Sequence, residues 1–337
     1  MLKLQIKRMK ILQKSLVLLS QLSILRGFRV ISAEMSCSAT KKFPSSIRKF
    51  GYAFNSDGKL CQLDPISGDL TDKPFEFNVS PDPTYNQKRY EALGELITPY
   101  VYELLINDLN LKKLEVPEGQ TPSSFIFASE DALSNPDKLI VLIHGSGVVR
   151  AGQWARSLII NDNIQSGTQI PYIEQAMANG YGILVLNTND NTRVIDGKVV
   201  PIKESSNALE HASWVWKNYV MKATAKKIAV VAHSYGGVCA VELANSFFED
   251  FSARVFAIAL TDSVHSMKFR HLRPEVQKYL YKVGRNWVSS AEPLDKILED
   301  DPKSDITAVS AGHKKHEMTS WSCKDSLFKY LQECYQH

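Results

Sequence analysis

Ser234 stands where an apolar run breaks. Ala229-Val230-Val231-Ala232-His233 reads as a buried strand, and Val238-Cys239-Ala240-Val241-Glu242-Leu243-Ala244 reads as a helix. The connection between them is Ser234-Tyr235-Gly236-Gly237. A strand that turns this sharply into a helix needs small residues two before and two after its apex, and Ala232 and Gly236 fill those places. A serine lifted out on such a turn is a candidate nucleophile. Its hydroxyl is weak at its ordinary pKa. It therefore needs a base, a carboxylate that orients the base, and N–H groups that receive the developing charge. The chemistry would be acyl transfer on an ester, thioester or amide.

The rest of the chain offers candidates for each role. His313 and His316, in Ser310-Ala311-Gly312-His313-Lys314-Lys315-His316-Glu317, lie beyond the last expected strand, where the base belongs. Asp295, in Glu292-Pro293-Leu294-Asp295, follows the penultimate strand and is the expected acid; Asp262 and Glu292 are the alternatives. His144-Gly145-Ser146-Gly147 follows a buried apolar run. Its glycines let the N–H of Ser146 or Gly147 turn toward an oxyanion, together with the N–H of Tyr235 just after the serine. A phosphate-cradling reading fails, because the glycine spacing is wrong and no lysine follows in place. No cofactor motif is present. The five cysteines are odd in number and show no CxxC spacing, which points to reduced thiols and no structural metal.

These groups must be positioned by alternating strands and helices. Strands are expected at 124–127, 139–143, 182–186, 228–231, 255–260, 286–289 and 306–309. Helices are expected at about 169–179, 205–221, 236–248 and 320–334. Continuous β-branched runs imply strands buried on both faces. The expected fold class is α/β: a mostly parallel, α/β-hydrolase-like sheet with helices on both faces. Upstream, Asn55-Ser56-Asp57-Gly58 suggests a hairpin turn, Phe75-Glu76-Phe77-Asn78-Val79 alternates like a strand, and 85–107 reads as a helix that Pro99 should kink or split. Trp154 and Trp214 read as core anchors, and Arg150 and Arg156 as loop residues beside the oxyanion segment.

The chain has 337 residues, 44% of them hydrophobic and 23% charged, an ordinary globular composition. The formal net charge is +4, but residues 1–33 hold seven Lys or Arg and no Asp or Glu. The remainder is slightly acidic, so direct nucleic-acid binding is not expected. Residues 1–40 read as a basic extension, and 50–335 as the α/β domain, with a hairpin-and-helix elaboration over 50–110. The run from Ser15 to Leu25 behind its basic flank has the form of a signal or mitochondrial transit segment, and is too short for a transmembrane helix.

Longer segments sharpen the assignment. Asn86 to Glu95, Val141 to Arg156, Val231 to Gly237, Ala259 to His265, Asn286 to Ser290 and Glu317 to Trp321 resemble the Argonaute-binding-protein-two family, closest to its animal cotranscriptional-regulator branch. The resemblance covers about 50–335. It implies an α/β-hydrolase shell, Argonaute and chromatin proteins as partners in splicing and silencing, and nuclear or cytoplasmic residence. It places the base at His316, beside Glu317, and the nucleophile at Ser234. A true serine hydrolase, secreted or organellar, is the alternative. The animal members carry a Lys/Arg-rich insert between the fourth strand and the next helix. Here that connection is only Asn187 to Glu204, which leaves residues 1–33 to direct localisation through the endoplasmic reticulum or mitochondria.

Overall fold

A computed structural model describes residues 43–266, 272–301 and 305–336. The basic extension expected at 1–40 lies outside the described residues. Three short strands come first: β1 (Tyr52–Phe54), β2 (Leu60–Leu63) and β3 (Leu70–Pro74) form an antiparallel sheet. The first helix, α1 (Pro83–Asn107), follows. Asp82 caps it by accepting the Thr84 N–H at 2.9 Å, and Pro83 sits where no intrahelical N–H is needed. The helix runs through Pro99 as one element. Leu93 and Ile97 before the proline, and Val101 and Leu105 after it, are all fully buried, so packing on both sides holds it together.

The segment expected as a strand at Phe75–Val79 is irregular. The strand is instead β3, which pairs Cys61 with Pro74 and Leu63 with Leu70. The alternation of Phe75 and Phe77 has a different cause. Both rings pack on Tyr90 of α1, at centroid distances of 5.9 and 5.8 Å.

The main sheet has nine strands among the described residues. They are β4 (Lys112–Val116), β5 (Ser124–Ala128), β6 (Lys138–Ile143), β7 (Tyr181–Val185), β10 (Lys227–His233), β11 (Val255–Thr261), β12 (Gly284–Val288), β13 (Ile297–Glu299) and β14 (Thr307–Ser310). Their spatial order is β13-β14-β12-β11-β10-β6-β7-β5-β4. The six strands from β7 to β14 in that order are parallel, and the antiparallel pairs lie at the two edges. Between β7 and the next helix, β8 (Thr192–Ile195) and β9 (Lys198–Pro201) form a separate hairpin.

Alternation along the strands divides the core into two layers. On one face, Val141, Ile143, Val230 and Ala232 pack with α5 (Ala208–Asn218), α6 (Tyr235–Ser246), α7 (Phe248–Arg254) and α8 (Pro274–Val283). On the other face, Ile140, Leu142, Ala229 and Val231 pack with α1, α2 (Arg156–Asn161), α3 (Ile164–Gly167), α4 (Ile170–Ala178) and α10 (Lys324–Gln336). A short turn, α9 (Thr319–Ser322), precedes the last helix. Each fully buried Val, Leu or Ile contributes roughly 1.5–3 kcal/mol of transfer free energy, so the two layers supply most of the driving force. Central β10 ends at His233, directly before Ser234.

Candidate functional site

Ser234 occupies a backbone conformation that only a forced turn would hold, with φ 52° and ψ −118°. Positive φ in a non-glycine residue costs about 1–3 kcal/mol and persists only where surroundings fix it. Its N–H donates to Thr261 O on β11 at 3.0 Å, and its carbonyl accepts from Gly237 N at 3.1 Å and Val264 N at 3.3 Å. Close backbone approach is also required. A Cβ on Gly236 would lie 2.5 Å from Ile143 O and 2.8 Å from His144 O, and one on Gly145 would lie 3.0 Å from Ser234 Cβ. The loop after β6 is therefore pressed against the serine turn.

That loop holds the expected oxyanion donors. Ser146 and Gly147 are exposed, and Gly147 adopts φ 105°. Tyr235 opens α6 directly after Ser234. Asn189 pins the loop from the segment after β7, since its Nδ2 donates to Gly145 O at 2.9 Å and to Val149 O at 3.1 Å. Asn187 Oδ1 accepts the Ala151 N–H at 2.9 Å. His144 is buried with Nδ1 at 2.8 Å from Gly145 O, and burial lowers its pKa to about 4. It is a neutral structural ring. Arg156 is buried in an ion pair with Glu95 at 3.1 Å, and Arg150 donates to Val149 O.

The base and acid assignments divide. His316 Nδ1 lies 2.8 Å from Asp262 Oδ2. The carboxylate that meets the histidine is thus Asp262, not Asp295. Asp262 Oδ1 also accepts the Ser289 N–H at 3.0 Å, and its own N–H donates to Trp287 O at 2.7 Å. Burial pulls the Asp262 pKa upward, but the bonds from His316 and Ser289 outweigh it and hold the carboxyl below its ordinary value. Asp295 is occupied elsewhere. It accepts from Trp287 Nε1 at 2.8 Å and from Ser326 Oγ at 2.6 Å, tying β12 to α10. Glu292 pairs with Lys296 at 2.5 Å. His313 Nδ1 accepts the Lys315 N–H at 3.1 Å.

His233 is a site residue that sequence reasoning missed. Its ring lies 4.6 Å from that of His316, tilted by 36°. Its Nδ1 lies 2.9 Å from Thr261 O and 3.3 Å from Ser320 Oγ, and burial, with His316 alongside, lowers its pKa to about 3. A neutral imidazole thus forms a fixed surface for His316. Its place beside Ser234 was the available signal. Among the described residues no hydrogen bond joins the Ser234 hydroxyl to His316. Such bonds are often long until a ligand binds. No group of three or more His, Cys, Asp or Glu among the described residues could hold a metal ion.

The geometry invites comparison with known proteins. The Arb2 domain matches residues 43–294. The cotranscriptional regulator ARB2A of Mus musculus is 43% identical over 344 residues, covering 86% of this chain and 81% of the mouse protein. ARB2A of Homo sapiens is 42% identical, with the same coverage of both chains. Among solved structures, a histone deacetylase from Saccharomyces cerevisiae superimposes with TM-score 0.50 at 13% identity, over 72% of this chain and 98% of that one. That likeness concerns the fold alone: an α/β sheet flanked by helices. No helix among the described residues is long and apolar enough to cross a membrane. By the extent of the domain match and of the identity to ARB2A, the chain belongs to the Arb2 family.

Proposed function

We propose that this chain is a regulator of the ARB2A kind whose shell retains serine-hydrolase chemistry. The observation that carries the chemistry is the 2.8 Å bond between His316 Nδ1 and Asp262 Oδ2, one loop from the strained Ser234 turn. Nδ1 held by a carboxylate leaves Nε2 as the basic nitrogen. Ser234 Oγ adds to the acyl carbon while its proton passes to His316 Nε2. The N–H groups of Tyr235 and of Ser146 or Gly147 receive the oxyanion. Collapse expels the alcohol, thiol or amine with the proton from His316. Water then adds to the acyl-serine by the same route, releasing the acid and regenerating the serine.

Identity of about 43% to a cotranscriptional regulator supports the partner half of the reading. On it, the folded surface engages Argonaute and chromatin proteins, and any contact with RNA runs through them. A fluorophosphonate probe tests the chemistry. Wild-type protein takes the label, and Ser234→Ala does not. Equal labelling of the two, or none of folded wild type, refutes the enzymatic half. Co-purification from cells tests the other half, and Ser234→Ala should keep the partners that wild type recovers.

A further inference from the structure

A shallow cleft is built from the chain neighbours of the His316–Asp262 pair. It has a volume of about 390 Å³ and is lined by Ser290, Ala291, Gly312, His313, Lys314 and Lys315. Its two walls are the loops that leave adjacent parallel strands, β12 and β14. They are joined by the bond from Ser290 N to His313 O at 2.9 Å. Each wall touches the site within one residue. Ser289, whose N–H holds Asp262, precedes Ser290, and Lys315 precedes His316.

The lining is one-sided in charge. Lys314 and Lys315 are exposed, and no carboxylate is among the lining residues. Glu292, just past Ala291, is engaged by Lys296, and Glu317 follows His316 outside the lining. His313 spends Nδ1 on the Lys315 N–H, so in its neutral form Nε2 carries the proton and is a donor. A histidine donor followed in the lining by two lysines suits an anion.

We propose that this cleft receives the negatively charged leaving portion of the substrate, an ester or thioester whose alcohol or thiol bears a carboxylate or a phosphate. The proposal rests on the Ser234 reading and deepens it. In that mechanism His316 returns its proton to the leaving oxygen or sulfur, so the departing group lies beside the histidine, whose chain neighbour Lys315 lines this cleft. Ser234 Oγ bonds to the acyl carbon, the C–O or C–S bond breaks, and the anion-bearing alcohol or thiol leaves with the proton. Water later releases the carboxylic acid.

The test compares three acetyl esters: 4-acetoxybenzoate, 4-acetoxyphenyl phosphate and uncharged 4-acetoxybenzamide. At low salt, kcat/KM for one anionic ester should exceed that for the benzamide by about tenfold, and the excess should shrink with added salt. Which anion is preferred separates carboxylate from phosphate. In Lys314→Gln/Lys315→Gln the ratio should fall toward one. A ratio near one in wild type, or one that survives the double substitution, overturns the proposal while leaving Ser234 labelling intact. A second readout needs no turnover. Titration of wild type with inorganic phosphate and with benzoate, followed by the NMR signals of the His313 ring, should saturate with one of them, and the double variant should not. Absence of saturation with both anions also overturns it. Saturation in a protein that takes no fluorophosphonate shows an anion site but overturns its leaving-group role together with the hydrolase reading.

Discussion

The rings of His233 and His316 pack against each other, their centroids 4.6 Å apart and their planes tilted by 36°. His233 comes from the end of the central strand and is fixed by Thr261 and Ser320. His316 comes from the loop after the last parallel strand and is fixed by Asp262. The carboxyl ends of β10 and β11 and the loop after β14 thus meet at these two imidazoles. The convergence follows from the parallel order β10, β11, β12, β14, which brings the carboxyl ends of those strands to one edge.

Exchanging the two candidate acids separates chemistry from stability. Asp262→Asn keeps the shape but presents the wrong partner to His316 Nδ1. The fluorophosphonate labelling rate should fall by about two to four orders of magnitude, with folding largely retained. Asp295→Asn weakens the tie from Trp287 and Ser326. It should lower the free energy of unfolding by about 1–3 kcal/mol and leave the labelling rate near wild type. The reverse pattern would restore Asp295 as the orienting acid.

The sequence makes the serine turn, the glycine-rich loop after β6 and the parallel core legible, because each is a local pattern. Ile228 to Ala232 is apolar throughout since both faces of β10 are buried. The acid is not legible in this way. Asp262 and Asp295 each follow a strand, and both take positive φ, at 43° and 67°. What distinguishes them is which loop curls toward His316, a tertiary matter. The β8–β9 hairpin had a readable signal, since Asp196-Gly197 sits between two β-branched runs with φ 50° and 74°. Edge strand β4, Lys112–Val116, is masked by its exposed lysines and glutamate.

Acid should weaken the fold well before carboxylates are protonated. His144, His211 and His233 are buried, and burial lowers them to about 4, 3 and 3. In the unfolded chain each titrates near 6.5, so between about pH 6.5 and 4 the unfolded state binds more protons. Each ring then removes at most about 1.4 kcal/mol of stability per pH unit as pH falls through that window. Asp262 acts lower down. Its pKa is depressed, so its contribution is present above the unfolded carboxylate value and is lost as pH falls through the folded one. Urea midpoints at pH 7.5 and pH 5 provide the check, with a clear drop expected at pH 5. A midpoint that does not move over this range contradicts neutral burial of these rings.

Two glycines at the contact between the oxyanion loop and the serine turn should respond differently to an added methyl. At Gly236 the new Cβ would meet backbone, 2.5 Å from Ile143 O and 2.8 Å from His144 O. Those carbonyls close the end of β6, which pairs with β10 through Ile143 and Ala232, so relief requires the sheet itself to shift. Gly236→Ala should lose both labelling and stability, by about 1–3 kcal/mol or more. At Gly145 the nearest atom is Ser234 Cβ at 3.0 Å, a contact tight enough to displace the serine by a few tenths of an ångström. Gly145→Ala should therefore slow labelling while the thermal midpoint moves little, because reactive geometry is more sensitive to such displacements than folding is. Thermal unfolding and labelling kinetics measured on the same preparations decide it. If Gly236→Ala folds and labels like wild type, the close seating of the loop on the turn is wrong.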